Sequence, residues 1–178
     1  MTHRTTSNAA RQSGLVLITA LILLIMMTLL ALTAVRMISQ QERMAGYSYD
    51  RGLAFQAAEA ALRSAEAALE AIKPTPTSGA CSSFSGSSLT VHVCPIPGTT
   101  ETRWTDTTFA GWANAATVGS GDLSITPQYF AEYLGNTFPC DPADPSASAT
   151  TCKRYRITAR AGGNGRAAAM LQSVYATD

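Results

Sequence analysis

The chain has 178 residues, enough for one modest domain or one domain with an appendage. Charged residues make up only 14% of it, against about 25% in an ordinary soluble protein, and the formal net charge is +1. That near-neutrality argues against a nucleic-acid binder, whose footprint is a strongly basic domain, and two histidines leave little material for a histidine-built metal centre or triad.

The missing charge is concentrated at the start. A short leader holds Arg4 and Arg11 and no acid, and no charged residue then occurs from Gln12 to Val35. Leu15 to Val35 is almost wholly apolar and has no polar face, which sets it apart from a buried helix of a soluble domain. As a helix it spans roughly 31 Å, the thickness of a bilayer's hydrocarbon core. Arg4 and Arg11 before it outweigh Arg36, Glu42 and Arg43 after it, which places the N-terminus in the cytoplasm and the rest outside. A secretory signal peptide is the rival reading, but its apolar region is shorter and ends at a small-residue cleavage site. Here the helical pattern runs on, and the first proline is Pro74.

The continuation over 36–73 reads as an amphipathic helix. Phe55, Ala58, Leu62, Ala65, Leu69 and Ile72 repeat at alternating spacings of three and four, an apolar stripe for packing on a globular domain. A coiled-coil seam is the alternative use of such a stripe. Glu59 and Arg63 add an i, i+4 pair in the favoured order. Gly46 and Gly52 interrupt the run at a cost of about 1 kcal/mol each relative to alanine, marking a stretch that can melt locally.

Beyond Lys73 the composition changes to Pro, Gly, Ser and Thr, and all eight prolines and all four cysteines lie there. The expected architecture is α+β: a long hydrophobic helix at 15–73 on a small antiparallel head at 74–178. Strands are expected at Leu89–Val93, Tyr155–Ala161 and Ala168–Tyr175, the last two forming a hairpin over 154–176 about the turn Gly162-Gly163-Asn164-Gly165. Tyr155, Ile157, Ala159 and Ala161 should face the core, leaving Arg154, Arg156, Thr158 and Arg160 on a solvated basic face that an anionic partner could use. Four cysteines on the external side favour disulfides, with three possible connectivities. Cys81–Cys94 and Cys140–Cys152 are preferred because each closes a short, turn-rich loop, for about 3 kcal/mol apiece. Zinc is the competing use, but no Cys-x-x-Cys pair is present and His92 is a poor addition. Asp141 and Asp144 lack the further oxygen ligands of a calcium loop and read as a polar turn. Trp104 and Trp112 read as core aromatics. No nucleophile elbow, zinc-protease helix, phosphate loop or dinucleotide fingerprint occurs, so the chain is not expected to be an enzyme and no cofactor is expected.

Gly14 followed by Leu15, a short basic leader and an apolar helix that outlasts the membrane together resemble a type IV pilin precursor. The runs Gln41-Glu42-Arg43-Met44-Ala45-Gly46, Asp50-Arg51 and Ala54-Phe55-Gln56-Ala57-Ala58-Glu59-Ala60-Ala61-Leu62-Arg63 are similar to those of PilX-type minor pilins. So is the terminal segment Tyr155-Arg156-Ile157-Thr158-Ala159-Arg160, a Gly-rich turn, and Leu171-Gln172-Ser173-Val174-Tyr175. The resemblance covers residues 11–72 and 153–176 and leaves the middle unmatched.

It implies cleavage of the 1–14 leader after Gly14 by a prepilin peptidase, N-methylation of Leu15, and a net charge that moves from +1 to −1 as Arg4 and Arg11 are lost. It implies insertion in the bacterial inner membrane with the head periplasmic, then incorporation in a pilus, with consequences for twitching motility and adhesion. Thr19, where most pilins carry glutamate, leads to the expectation that the place is at or near the pilus tip, priming or supporting assembly. The partners it implies are other minor pilins, the major pilin, a tip adhesin of the PilY type and the inner-membrane assembly platform. Two departures stand out. Thr19 occupies the position where most pilins carry a glutamate that neutralises a neighbour's N-terminal amine. No proline lies early in the mature helix either, which leaves Gly46 and Gly52 to permit melting. A minor pseudopilin of a type II secretion system, or a single-pass membrane protein with a periplasmic binding head, are the alternative readings.

Overall fold

The computed structural model describes residues 13–77, 79–95, 102–140, 151–163 and 165–177. The fold is α+β. One helix, α1 (Ser13–Ile72), precedes six strands: β1 (Ser82–Gly86), β2 (Leu89–Cys94), β3 (Ala113–Asn114), β4 (Gln128–Pro139), β5 (Thr151–Ala161) and β6 (Ala169–Ala176). The chain divides into two compact units, 1–47 and 48–178, and α1 contributes to both.

In the first unit every residue from Gly14 to Tyr47 is exposed. Large side chains dominate it, among them Leu15, Leu17, Leu21, Leu24, Met27, Leu30 and Val35. It holds the window that makes this helix long and apolar enough to cross a membrane. Its hydroxyls are turned back on the helix. Thr19 Oγ1 donates to Val16 O at 2.9 Å, Thr28 to Ile25 O at 2.8 Å and Thr33 to Leu30 O at 2.8 Å, so none of these three is left without a partner in an apolar solvent.

In the second unit the sheet order is β1-β2-β4-β5-β6, with β3 also pairing β4. All pairings are antiparallel except β2 with β4, so the sheet is mixed rather than purely antiparallel. The C-terminal part of α1 lies on one face. Ala54, Ala57, Ala58, Ala61, Leu62, Ala65, Ala68 and Leu69 are buried against Val91, Val93, Tyr129, Ala131, Tyr133, Tyr155, Ile157 and Ala159. Alanine here does two things: it favours helix and lets the helix backbone approach the sheet, whose aromatic and branched side chains supply the bulk. The buried stripe is rotated relative to the one the spacing suggests. Phe55 is 49% exposed, because one residue is a 100° step and Ala54 and Ala58 hold the centre of the buried face.

The helix stops where its residues require it. Lys73 takes a left-handed conformation (φ 47°), its N–H closes on Leu69 O at 2.8 Å, and Pro74 follows. Tyr155 Oη then donates to Pro74 O at 2.7 Å, tying the exit of the helix to the middle of the sheet. Burial pushes the Tyr155 hydroxyl well above its ordinary pKa, so it remains a donor.

The three expected strands are present with altered ends: Leu89–Cys94, Thr151–Ala161 and Ala169–Ala176. β5 begins earlier because Cys152 pairs with Phe138 of β4 and bonds to Cys140. The sequence pattern did not single out β1, β3 or β4, and β4 is the pivot of the sheet, buried on both faces over Tyr129–Tyr133.

Candidate functional site

No catalytic constellation forms among the described residues, so the surfaces and locks that could serve assembly carry the functional question. The first surface is the exposed apolar helix of residues 14–47. Gly14 and Leu15 both sit in its first turns; a side chain added at Gly14 would meet nothing, and Leu15 is 68% exposed. Thr19 spends its hydroxyl on Val16 O and offers no charge. The first twelve residues, including Arg4 and Arg11, lie outside the described residues, as do Asp141 and Asp144.

A carboxylate clamp secures the helix to the head. Asp50 Oδ1 accepts from Arg166 Nε at 2.8 Å and Oδ2 from the backbone N–H of Ala167 at 2.6 Å. The Ala167 N–H first, and then the Arg166 guanidinium, hold the Asp50 carboxyl below its ordinary pKa. The turn between β5 and β6 reaches Asp50 because Gly162 adopts φ +93°; a Cβ there would fall 2.0 Å from Ala167 O. Two further bonds continue along the same helix: Ser173 Oγ to Glu66 Oε1 at 2.9 Å and Tyr175 Oη to Glu70 Oε2 at 3.1 Å. The β5–β6 hairpin is thus held to the helix by three carboxylates spread from Asp50 to Glu70.

The far face of the sheet differs from the solvated basic face expected of it. Thr158 is fully buried and Arg154 and Arg156 are half-buried; only Arg160 of the four is exposed. The segment 102–112 folds over this face. Trp112 and Phe109 pack edge-on against Phe130 with ring centroids 4.7 and 4.8 Å away. Trp104 and Trp112 are therefore not in the main core; they form a second, smaller layer. At its centre Glu132, wholly buried, accepts from Arg103 at 3.1 Å and from Arg156 at 2.7 Å. Arg103 also donates to Pro95 O at 2.8 Å, which pins the segment to the end of β2. Two guanidiniums meet this deeply buried carboxylate, the pairing that offsets the cost of taking it out of water. The sequence did carry a signal for it: a lone acid inside the apolar strand run Tyr129-Phe-Ala-Glu-Tyr133.

The four cysteines form two disulfides, Cys81–Cys94 and Cys140–Cys152. His92 lies beside the first, its Nδ1 3.1 Å from Ser83 Oγ, and burial lowers its pKa. The His92 ring and the sulfurs of Cys81 and Cys94 cluster within 4.8 Å, but with the sulfurs bonded to each other the pair offers no thiolate to a metal.

Two family models match the chain. The first, PilX N-terminal, spans residues 13–63. The second, Type IV pilus assembly protein PilX C-term, spans residues 70–177 and so takes in the segment from 73 to 152 that the sequence resemblance left unassigned. No curated protein and no solved structure matches the chain.

Proposed function

The chain belongs to the PilX family and is a type IV pilus minor pilin, and on that premise we propose that it acts at or near the pilus tip, where it primes or supports assembly. The observation that carries this reading is Thr19. Its side chain is a neutral hydroxyl donating to Val16 O, with no countercharge to neutralise the N-terminal amine of a subunit stacked beyond it. An unpaired amine in a filament core would cost several kcal/mol. A subunit with no pilin above it incurs no such cost.

In this account the inner membrane holds residues 15–35 until a prepilin peptidase cuts between Gly14 and Leu15 and the Leu15 amine is methylated. The same apolar side chains then leave lipid for a bundle of similar helices. Little apolar surface meets water in that exchange, so side-chain packing selects the neighbours. The disulfide-bonded head caps the bundle and meets other minor pilins, the major pilin below, the assembly platform and a tip adhesin of the PilY type. Twitching motility and adhesion then depend on this subunit through the number of pili assembled.

Two measurements test the reading. N-terminal sequencing of the mature protein should return a methylated Leu15; a chain that still starts at Met1 or Thr2 would end it. A deletion strain should lose most surface pili and twitching; normal piliation would remove the priming role. Thr19→Glu sharpens the tip placement, which expects assembly to be disturbed by the added carboxylate rather than improved.

A further inference from the structure

On the far face of β5, Arg154, Arg156 and Arg160 stand in one row, and each guanidinium rests on an aromatic ring. Arg154 lies 4.7 Å from the Phe138 ring centroid, Arg156 4.6 Å from Trp104 and Arg160 3.9 Å from Trp112. Each is also fixed by oxygen: Arg154 donates to Pro139 O at 3.2 Å, Arg156 to Glu132 at 2.7 Å, and Arg160 twice to Gln128 Oε1, at 3.0 and 2.8 Å. Among the described strand residues of this face Glu132 is the one carboxylate, and Arg103 shares it with Arg156, which leaves Arg154 and Arg160 without an acidic strand neighbour. Across the ladder in β6, Met170 stands opposite Arg160 and Val174 opposite Arg156; they are 47% and 63% exposed. A cavity of about 200 Å³ opens at one end, lined by Arg160, Gly162, Ala168 and Met170 among others. Nothing in membrane insertion or in packing of the helix on the sheet uses this row.

We propose that the row is a receptor for an extended acidic segment of another protein. Carboxylates on alternate residues of that segment meet Arg154 and Arg156, a third four residues further on meets Arg160, and apolar residues between them rest on Met170 and Val174. Three arguments select this occupant. Alternate residues of any extended chain repeat every ~6.8 Å, the spacing of Arg154 and Arg156 on their own strand, so a second extended chain stays in register along the row. Ring stacking and fixed oxygens hold the guanidiniums in place before binding, so little rotamer freedom is lost when a planar fork meets a carboxylate. The whole chain carries a formal charge of only +1, so it has no field to gather a nucleic acid or a sulfated glycan by charge density; recognition depends on local geometry.

The test uses the full chain in non-ionic detergent and a synthetic nine-residue peptide with glutamate at its first, third and seventh positions among Thr and Val. The chain's two tryptophans, Trp104 and Trp112, each stack on a guanidinium of the row and report binding by their emission. Saturable binding is expected, weakening as salt rises and at least tenfold weaker in the Arg154→Gln/Arg160→Gln variant. Arg160→Lys should weaken it several-fold despite keeping the charge, and serves should the double variant fail to fold. An isomeric peptide with its three glutamates adjacent should bind several-fold more weakly. The proposal is overturned by an absence of saturable binding, by equal binding of the isomer, by unchanged affinity in Arg160→Lys, or by tighter binding of heparin or duplex DNA than of the alternating peptide.

Discussion

One helix, two kinds of apolar residue: up to Tyr47 the apolar positions of α1 are mostly leucine, isoleucine and methionine and all exposed, whereas from Ala54 they are mostly alanine and largely buried. The difference follows from who supplies the partner surface. In the second unit the sheet brings Tyr129, Tyr133, Tyr155 and Ile157, and the helix contributes small side chains that let these fit. In the first unit every described residue from Gly14 to Tyr47 is exposed, and the bulk lies on the helix itself to meet lipid or other helices. Side-chain size, read along a single helix, thus separates surface that packs internally from surface kept for a neighbour.

The largest expected effect attacks the packed side at its buried charge. Glu132→Ala leaves Arg103 and Arg156 facing each other without a carboxylate. It should cost about 3–5 kcal/mol in a denaturation midpoint measured on the full chain in detergent. Loss of the Cys140–Cys152 bond by the double serine variant should cost about 2–4 kcal/mol, again read as unfolding of the second unit.

The direct comparison of the two kinds of helix surface is a matched pair of substitutions. Ala58→Leu adds bulk where the sheet has left none and should cost about 1–3 kcal/mol. Ala20→Leu makes the same change on the exposed side and should leave the unfolding midpoint within about 0.5 kcal/mol. Equal costs at the two sites would break the distinction drawn from side-chain size.

Much of this was legible in the sequence, and what was not has definite physical reasons. The exposed apolar run is legible because no globular fold can bury a surface that is apolar all round. The β5–β6 hairpin is legible because Tyr155, Ile157, Ala159 and Ala161 alternate with polar residues. β4 escaped notice because Tyr129–Tyr133 is buried on both faces, which erases alternation and leaves an apolar run broken only by Glu132. Phe55 misled for a related reason: in a helix whose buried face is alanine, the largest side chain is not the one facing inward. The aromatic layer over the Arg row needs contacts from residue 104 to residue 156 and from 112 to 160, which no local pattern encodes. The Asp50 clamp joins residues more than a hundred apart in sequence, and the only local hint was the glycine-rich turn that lets Ala167 approach.

The smallest expected effect concerns that clamp, and pH reads it. Asp50 is bound by the Ala167 N–H and by Arg166 in its ionised form, so its folded pKa lies below the ordinary 3.8. The unfolded chain binds the proton more readily, and folding is therefore favoured at pH values above the ordinary one. The contribution is fully present at neutral pH, begins to fall only as pH drops through about 4, and is gone below the lowered folded value. Amide exchange at Ala167 should stay slow from pH 7 to pH 5, once corrected for the intrinsic pH dependence, and quicken only under stronger acid. Asp50→Asn removes the charge at every pH. Its Ala167 amide should exchange faster at pH 7 while the unfolding midpoint barely moves, because Glu66 and Glu70 still hold the far end of β6. Were the amide equally protected in both proteins, Asp50 would be an exposed ion pair of little consequence, and the hold of the helix on the head would rest on its buried apolar face and on Glu66 and Glu70.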